Sequence, residues 1–163
     1  KNKEKAIDYN NMLGVCDGGE KITGRQGHIL CCDAHKGETE IKLSPLNKTQ
    51  MDKIAYDSEG KIYTEPRDAD MEKDINDVLL LNGIQKSDGT VRDTSTELLK
   101  GRKDTYERAR KMMNRLNAKG KCTSVTVKKL IEELYNSDER EEYAGVKLYY
   151  FRKKYNSLIR RGM

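Results

Sequence analysis

The chain has 163 residues, 35% of them hydrophobic and 36% charged, with a formal net charge of +5. That length suits one domain, or a small module with a helical extension, and the composition is lean in core formers but still globular. No apolar run of roughly 18 residues occurs, so no membrane-spanning helix is expected, and four cysteines are too few for a dense disulfide scaffold.

Aromatic burial falls to nine Tyr, with one Phe and no Trp. A thin core with helices packed along one face is expected. Residues 1–45 are punctuated by Gly14, Gly18, Gly19, Gly24, Gly27 and Gly37 and read as loop-rich. They hold few large apolar side chains, and a bound metal can supply the stability that burial does not. A hairpin is expected next, 53–56 paired with 61–64 around Ser58-Glu59-Gly60, closed by Pro66.

Beyond Pro66 the chain reads as helical. Over 68–81, Met71, Ile75, Val78 and Leu79 share one face. A loop through Gly83 and Gly89 leads to a long helix over about 94–119, striped by Leu98, Leu99, Tyr106, Ala109, Met112, Met113 and Leu116 and stopped by Gly120. Ser124 or Thr126 is expected to cap a short helix through Leu130, Ile131 and Leu134. A last helix, about 143–160, aligns Leu148, Phe151, Tyr155, Leu158 and Ile159. The expected fold is α+β, mostly α, organised as a module over 1–45, a hairpin over 46–66 and a basic helical region over 67–163.

The cations are unevenly spread. Over 100–121 only Asp104 and Glu107 stand against a crowd of Lys and Arg, and 147–161 holds no acid. Such stretches are either solvated helix faces or a footprint for a polyanion. On the second reading Arg102, Lys103, Arg108, Arg110, Lys111 and Arg115 contact nucleic-acid phosphates.

The chemistry is concentrated near the start. Cys16 and Cys32 are either one pair of a tetrahedral zinc site or small buried side chains. Asp33 and His35, two residues apart, either reach one divalent cation or form a polar helix start with Asp33 as cap. Adjacent Cys31 and Cys32 argue for reduced thiols, and so for a cytoplasmic protein.

Read together, Asn11-Met12-Leu13-Gly14-Val15-Cys16 and Cys32-Asp33-Ala34-His35-Lys36-Gly37 resemble the back half of the HNH endonuclease motif. The insert between Cys16 and Cys32 is longer than the two residues common in that family. The front half of the motif, a Cys-x-x-Cys and a Glu/Asp-His pair, does not occur in this sequence. It is expected upstream of Lys1, and the chain alone is expected to be inactive. Further on, Leu43-Ser44-Pro45-Leu46-Asn47, a hairpin with Tyr56 and Gly60, Leu79-Leu80-Leu81-Asn82 and an Arg-rich helix resemble an HNH subgroup. That subgroup includes the nuclease subunits of Septu-type and retron-linked anti-phage systems.

The resemblance implies a partial treble-clef-like ββα-metal module and metal-dependent hydrolysis of phosphodiester bonds in antiviral defence, with DNA favoured over RNA. It assigns Cys16 and Cys32 to a structural Zn²⁺, Asp33 to a catalytic Mg²⁺ or Mn²⁺, and Asn11 to orienting the general base. Lys36 then faces phosphate or makes a structural ion pair. His35 is a second ligand, a phosphate contact or a surface residue; neither it nor His28 stands where the family has its base. The helical region implies a possible ATPase subunit as partner. The alternative is a non-catalytic zinc module that binds nucleic acid or docks on such an ATPase.

Overall fold

A computed structural model describes residues 17–22, 27–139 and 141–162. It is an α+β fold, mostly α: six helices, α1 (Cys32–Lys36), α2 (Lys48–Met51), α3 (Ala69–Lys73), α4 (Leu98–Ala118), α5 (Ser124–Asn136) and α6 (Ala144–Arg160), with two antiparallel hairpins among the described residues. The first hairpin joins β1 (Ile54–Tyr56) to β2 (Ile62–Thr64), with Ala55 opposite Tyr63. The second joins β3 (Ile84–Gln85) to β4 (Val91–Arg92).

The β1–β2 hairpin forms where local turn chemistry asks for it. Asp57 Oδ1 accepts from the amides of Glu59 and Lys61 at 2.9 and 2.8 Å, and Gly60 takes a φ of 84° that favours glycine. Gly60 also has no room for a side chain: a Cβ there would lie 2.3 Å from the Leu99 carbonyl oxygen of α4. The hairpin thus turns directly against α4.

Two apolar clusters hold the chain together. Leu43, Met71 and Ile75 are buried with Met51, Ile54 and Ile62 packed on them, so the hairpin and α3 share one core. Ala109, Met113, Cys122, Val127, Phe151 and Leu158 form the second cluster between α4, α5 and α6. Here the apolar periodicity largely does what the sequence predicts, since burial of one stripe per helix drives the packing, but Met112 and Ile159 of the expected stripes are exposed.

The departures are local. The expected helix over 68–81 leaves α geometry at Asp74 and runs as a π-helical turn, Asp74–Val78. The Asp74 carboxylate is buried there and accepts the amides of Lys42 and Leu43 at 2.6 and 2.7 Å. Helix α4 starts at Leu98 rather than near residue 94, because Thr94 and Asp93 serve its end. Asp93 accepts the amides of Leu99 and Lys100 at 3.0 and 2.9 Å, and the Thr94 hydroxyl accepts that of Leu98. Thr123, not Ser124 or Thr126, caps α5 by accepting the Thr126 amide. Where a plain loop is expected through Gly83 and Gly89, the chain makes the β3–β4 hairpin. Among the described residues no helix is long and apolar enough to cross a membrane.

Candidate functional site

Helix α1 carries the described part of the candidate site, and two other segments fix its position. The first is the turn around Gly18. The Cys31 amide donates to the Gly18 carbonyl at 3.0 Å, and a Cβ on Gly18 would sit 2.1 Å from the Cys31 oxygen. Cys31 is fully buried, its Sγ 3.7 Å from the Gly18 carbonyl oxygen and 3.4 Å from Thr96 Oγ1.

The second is the end of the π turn that follows α3. The Cys32 amide donates to the Leu79 carbonyl at 2.8 Å, and His35 Nδ1 lies 2.9 Å from the Val78 oxygen. Two consecutive carbonyls at the C-terminal end of the π turn therefore hold Cys32 and His35. A carbonyl only accepts, so Nδ1 carries the hydrogen. In the neutral ring Nε2 is then the lone-pair nitrogen. Cys32 has a φ of 53°, a left-handed conformation that costs a non-glycine residue of order 1–3 kcal/mol and that gathers at functional sites.

Asp33 lies between the two anchored residues, exposed, in the first turn of α1. It does not cap the helix: α1 begins after Cys31 with no side-chain cap, and Asp33 takes part through its backbone oxygen, which accepts from Gly37. The Lys36 ammonium folds back onto the Gly37 carbonyl at 2.9 Å. Asn11 and Cys16 lie outside the described residues. Among the described residues no three His, Cys, Asp or Glu side chains group as a metal centre. Asp33 and His35 are an oxygen and an imidazole donor two residues apart on α1, and Cys32 is a thiol at its start, residue types that suit a cation, although side chains two apart on a helix do not share a face.

The expected phosphate contacts on α4 divide into three kinds. Arg102 is a correction. It is 4% exposed, and it donates through Nε to the Gly60 carbonyl at 2.6 Å and through Nη2 to that of Leu81 at 2.6 Å. A guanidinium so enclosed ties α4 to the hairpin and does not face solvent. Lys103 pairs with Glu59 at 2.6 Å, Arg110 with Glu107 at 2.9 Å, and Arg108 donates to the Thr105 hydroxyl. Lys111 and Arg115 remain exposed and, with Lys119, line a shallow groove of about 370 Å³ floored by Met112 and Leu116.

A larger cleft, about 720 Å³, lies between the β1–β2 hairpin and α6, lined by Tyr56, Tyr149, Arg152, Lys153 and Arg160 among others. No motif marks it in the sequence. Its one visible sign is the acid-free stretch over 147–161. No protein-family model, curated protein or solved structure matches the chain.

Proposed function

We propose that this chain supplies the second half of an HNH-type endonuclease site, in a partial treble-clef-like ββα-metal module, and that the complete site hydrolyses nucleic-acid phosphodiester bonds with a divalent cation in antiviral defence. The observation that carries the reading is the pinning of Cys32 and His35 to the Leu79 and Val78 carbonyls, with the Asp33 carboxylate exposed between them. Metal-binding imidazoles commonly donate their second nitrogen to a backbone carbonyl, which fixes the ring and its tautomer. The π turn that ends at those carbonyls is a backbone irregularity often found at functional sites.

In this reading Asp33 and His35 hold the cation, and Cys32 with Cys16 contributes thiolates to a separate structural zinc. Asn11 orients the general base of the complete site. When bound, the cation polarises the scissile phosphate and steadies the departing oxygen. Asp33 supplies the hard oxygen ligand that suits Mg²⁺ or Mn²⁺. The His35 Nδ1 bond to the Val78 carbonyl orients the ring and, in its neutral form, turns the lone pair onto Nε2. Lys36 donates to the Gly37 carbonyl and keeps two further donors with which it can face phosphate.

The test is a nicking assay with Mg²⁺ or Mn²⁺ on DNA and on structured RNA, using the intact protein. Asp33→Ala should abolish turnover while leaving substrate affinity and zinc content intact. Full cleavage by that variant would remove the nuclease assignment. A second reading draws on Lys111 and Arg115, which have no ion pair among the described residues: a zinc module that binds nucleic acid, or docks on an ATPase subunit, without cleaving. It predicts zinc and binding with no cleavage by the parent protein under any divalent metal.

A further inference from the structure

The cleft between the β1–β2 hairpin and α6 combines two kinds of group. Tyr56 and Tyr149 line it from opposite elements, their rings 5.8 Å apart edge to face, and Tyr135 of α5 adds a third ring that is 44% exposed. Among these rings α6 sets cations. The Arg152 guanidinium lies 5.4 Å from the Tyr135 ring centroid and donates to its hydroxyl, and the Lys153 ammonium lies 5.6 Å from that of Tyr149.

The charges do not cancel. Of the two carboxylates in the lining, Asp52 is 3.9 Å from Arg152, at the limit of an ion pair, and Glu65 stands on the hairpin side. Lys153 instead donates to the Tyr149 hydroxyl at 3.4 Å, and Arg160 to the Asn156 carbonyl at 3.3 Å. Among the described residues no carboxylate neutralises either.

We propose that this cleft binds a short unpaired segment of nucleic acid, with bases against the tyrosine rings and phosphates on Lys153 and Arg160. Rings interleaved with cations are the chemistry of single-strand binding: each base offers a π face, and each phosphate meets a cation. In a duplex those faces are already stacked, so the tyrosines would have nothing to engage. An acidic peptide would satisfy the cations but leave the rings without planar partners. The volume falls in the range of small-ligand sites, so the cleft takes a short segment and not a long tract. The proposal does not rest on hydrolysis at Asp33, because binding is measured without a divalent metal.

The experiment is fluorescence anisotropy of the intact chain with fluorescein-labelled oligothymidylate, and with a labelled duplex of the same length, in magnesium-free buffer. The single strand should bind more tightly than the duplex. Tyr135→Ala, at an exposed position, should weaken single-strand binding about tenfold, as expected for one lost base stack. Lys153→Glu and Arg160→Glu should each flatten the log–log salt dependence by roughly 0.7, with the far-UV circular dichroism unchanged. Parental affinity and slope in these variants would overturn the proposal. So would a preference for duplex, or displacement of the probe by polyglutamate as readily as by unlabelled oligonucleotide, which would mark a surface for an acidic protein.

Discussion

Arg102 of α4 reaches the carbonyl oxygen of Gly60, at the tip of the first hairpin, at 2.6 Å. The contact is made possible by the missing side chain on Gly60, and the same guanidinium also takes the Leu81 carbonyl. One buried cation thus joins α4, the hairpin and the segment after the π turn. Burial pulls its pKa below the ordinary value for arginine, with Tyr56 and Asp93 opposing that shift.

Arg102→Met should therefore be costly. It removes the donors and leaves two carbonyls enclosed without partners, and hydrogen bonds from a charged group are worth about 1.5–3 kcal/mol. A loss of about 3 kcal/mol is expected in urea unfolding, with no change in the salt dependence of nucleic-acid binding. Parental stability together with a flatter salt slope would return Arg102 to the surface role that its sequence context suggests.

The exposed cations of α4 should behave in the opposite way. Lys111→Glu and Arg115→Glu remove no buried contact, so stability should stay within about 0.5 kcal/mol of the parent. If the groove they line meets phosphates, each reversal should flatten the log–log salt slope by roughly 0.7 to 0.9. Unchanged affinity and slope would make this face solvated surface.

The two neighbouring cysteines should separate by metal content. Cys31 is buried against Gly18 and Thr96, so Cys31→Ser should keep any bound zinc. Cys32→Ser should lose it. Elemental analysis of the intact protein reads both, and zinc retained by Cys32→Ser but lost by Cys31→Ser would reverse the assignment.

Tyr63 gives a pH signature. Its hydrogen bond to the Tyr149 hydroxyl, then burial, push its pKa up to about 12 from an ordinary 10. The folded pKa is raised, so the stabilisation is fully present below pH 10 and is lost as pH rises toward about 12. Burial raises Tyr56 and Tyr150 as well, so absorbance at the tyrosinate band should show several late-titrating groups, one of which Tyr63→Phe removes. An unchanged alkaline limb would show that the hydroxyl pair is not formed.

Much of this fold is legible in the sequence because it is local. The Asp57 to Gly60 turn declares its hairpin, and the stripes on α4, α5 and α6 declare their buried faces. The failures share a cause: a partner far along the chain. Arg102 sits in a basic run and looks like its neighbours, yet its carbonyl partners are 42 and 21 residues away. The π turn is tied to residues 42 and 43 through Asp74, which periodicity does not reveal. The hairpin–α6 cleft joins segments such as Tyr63 and Tyr149, 86 residues apart. At the candidate site, residue types and order could be read, while the carbonyl anchors of Cys32 and His35 could not.

Those anchors share a lever. Val78 and Leu79 are adjacent residues on the end of one helix, and a residue added to or removed from an α-helix rotates every later residue about the axis by about 100°. Deleting Asn76 to restore a regular α-helix would swing both carbonyls together, so Cys32 and His35 would lose their supports in one step. The same linkage runs the other way. Whatever locks Cys32 and His35 in place also fixes the winding of the helix beneath them, so a tightly bound cation should slow amide exchange across Asp74–Val78, several residues from any donor atom.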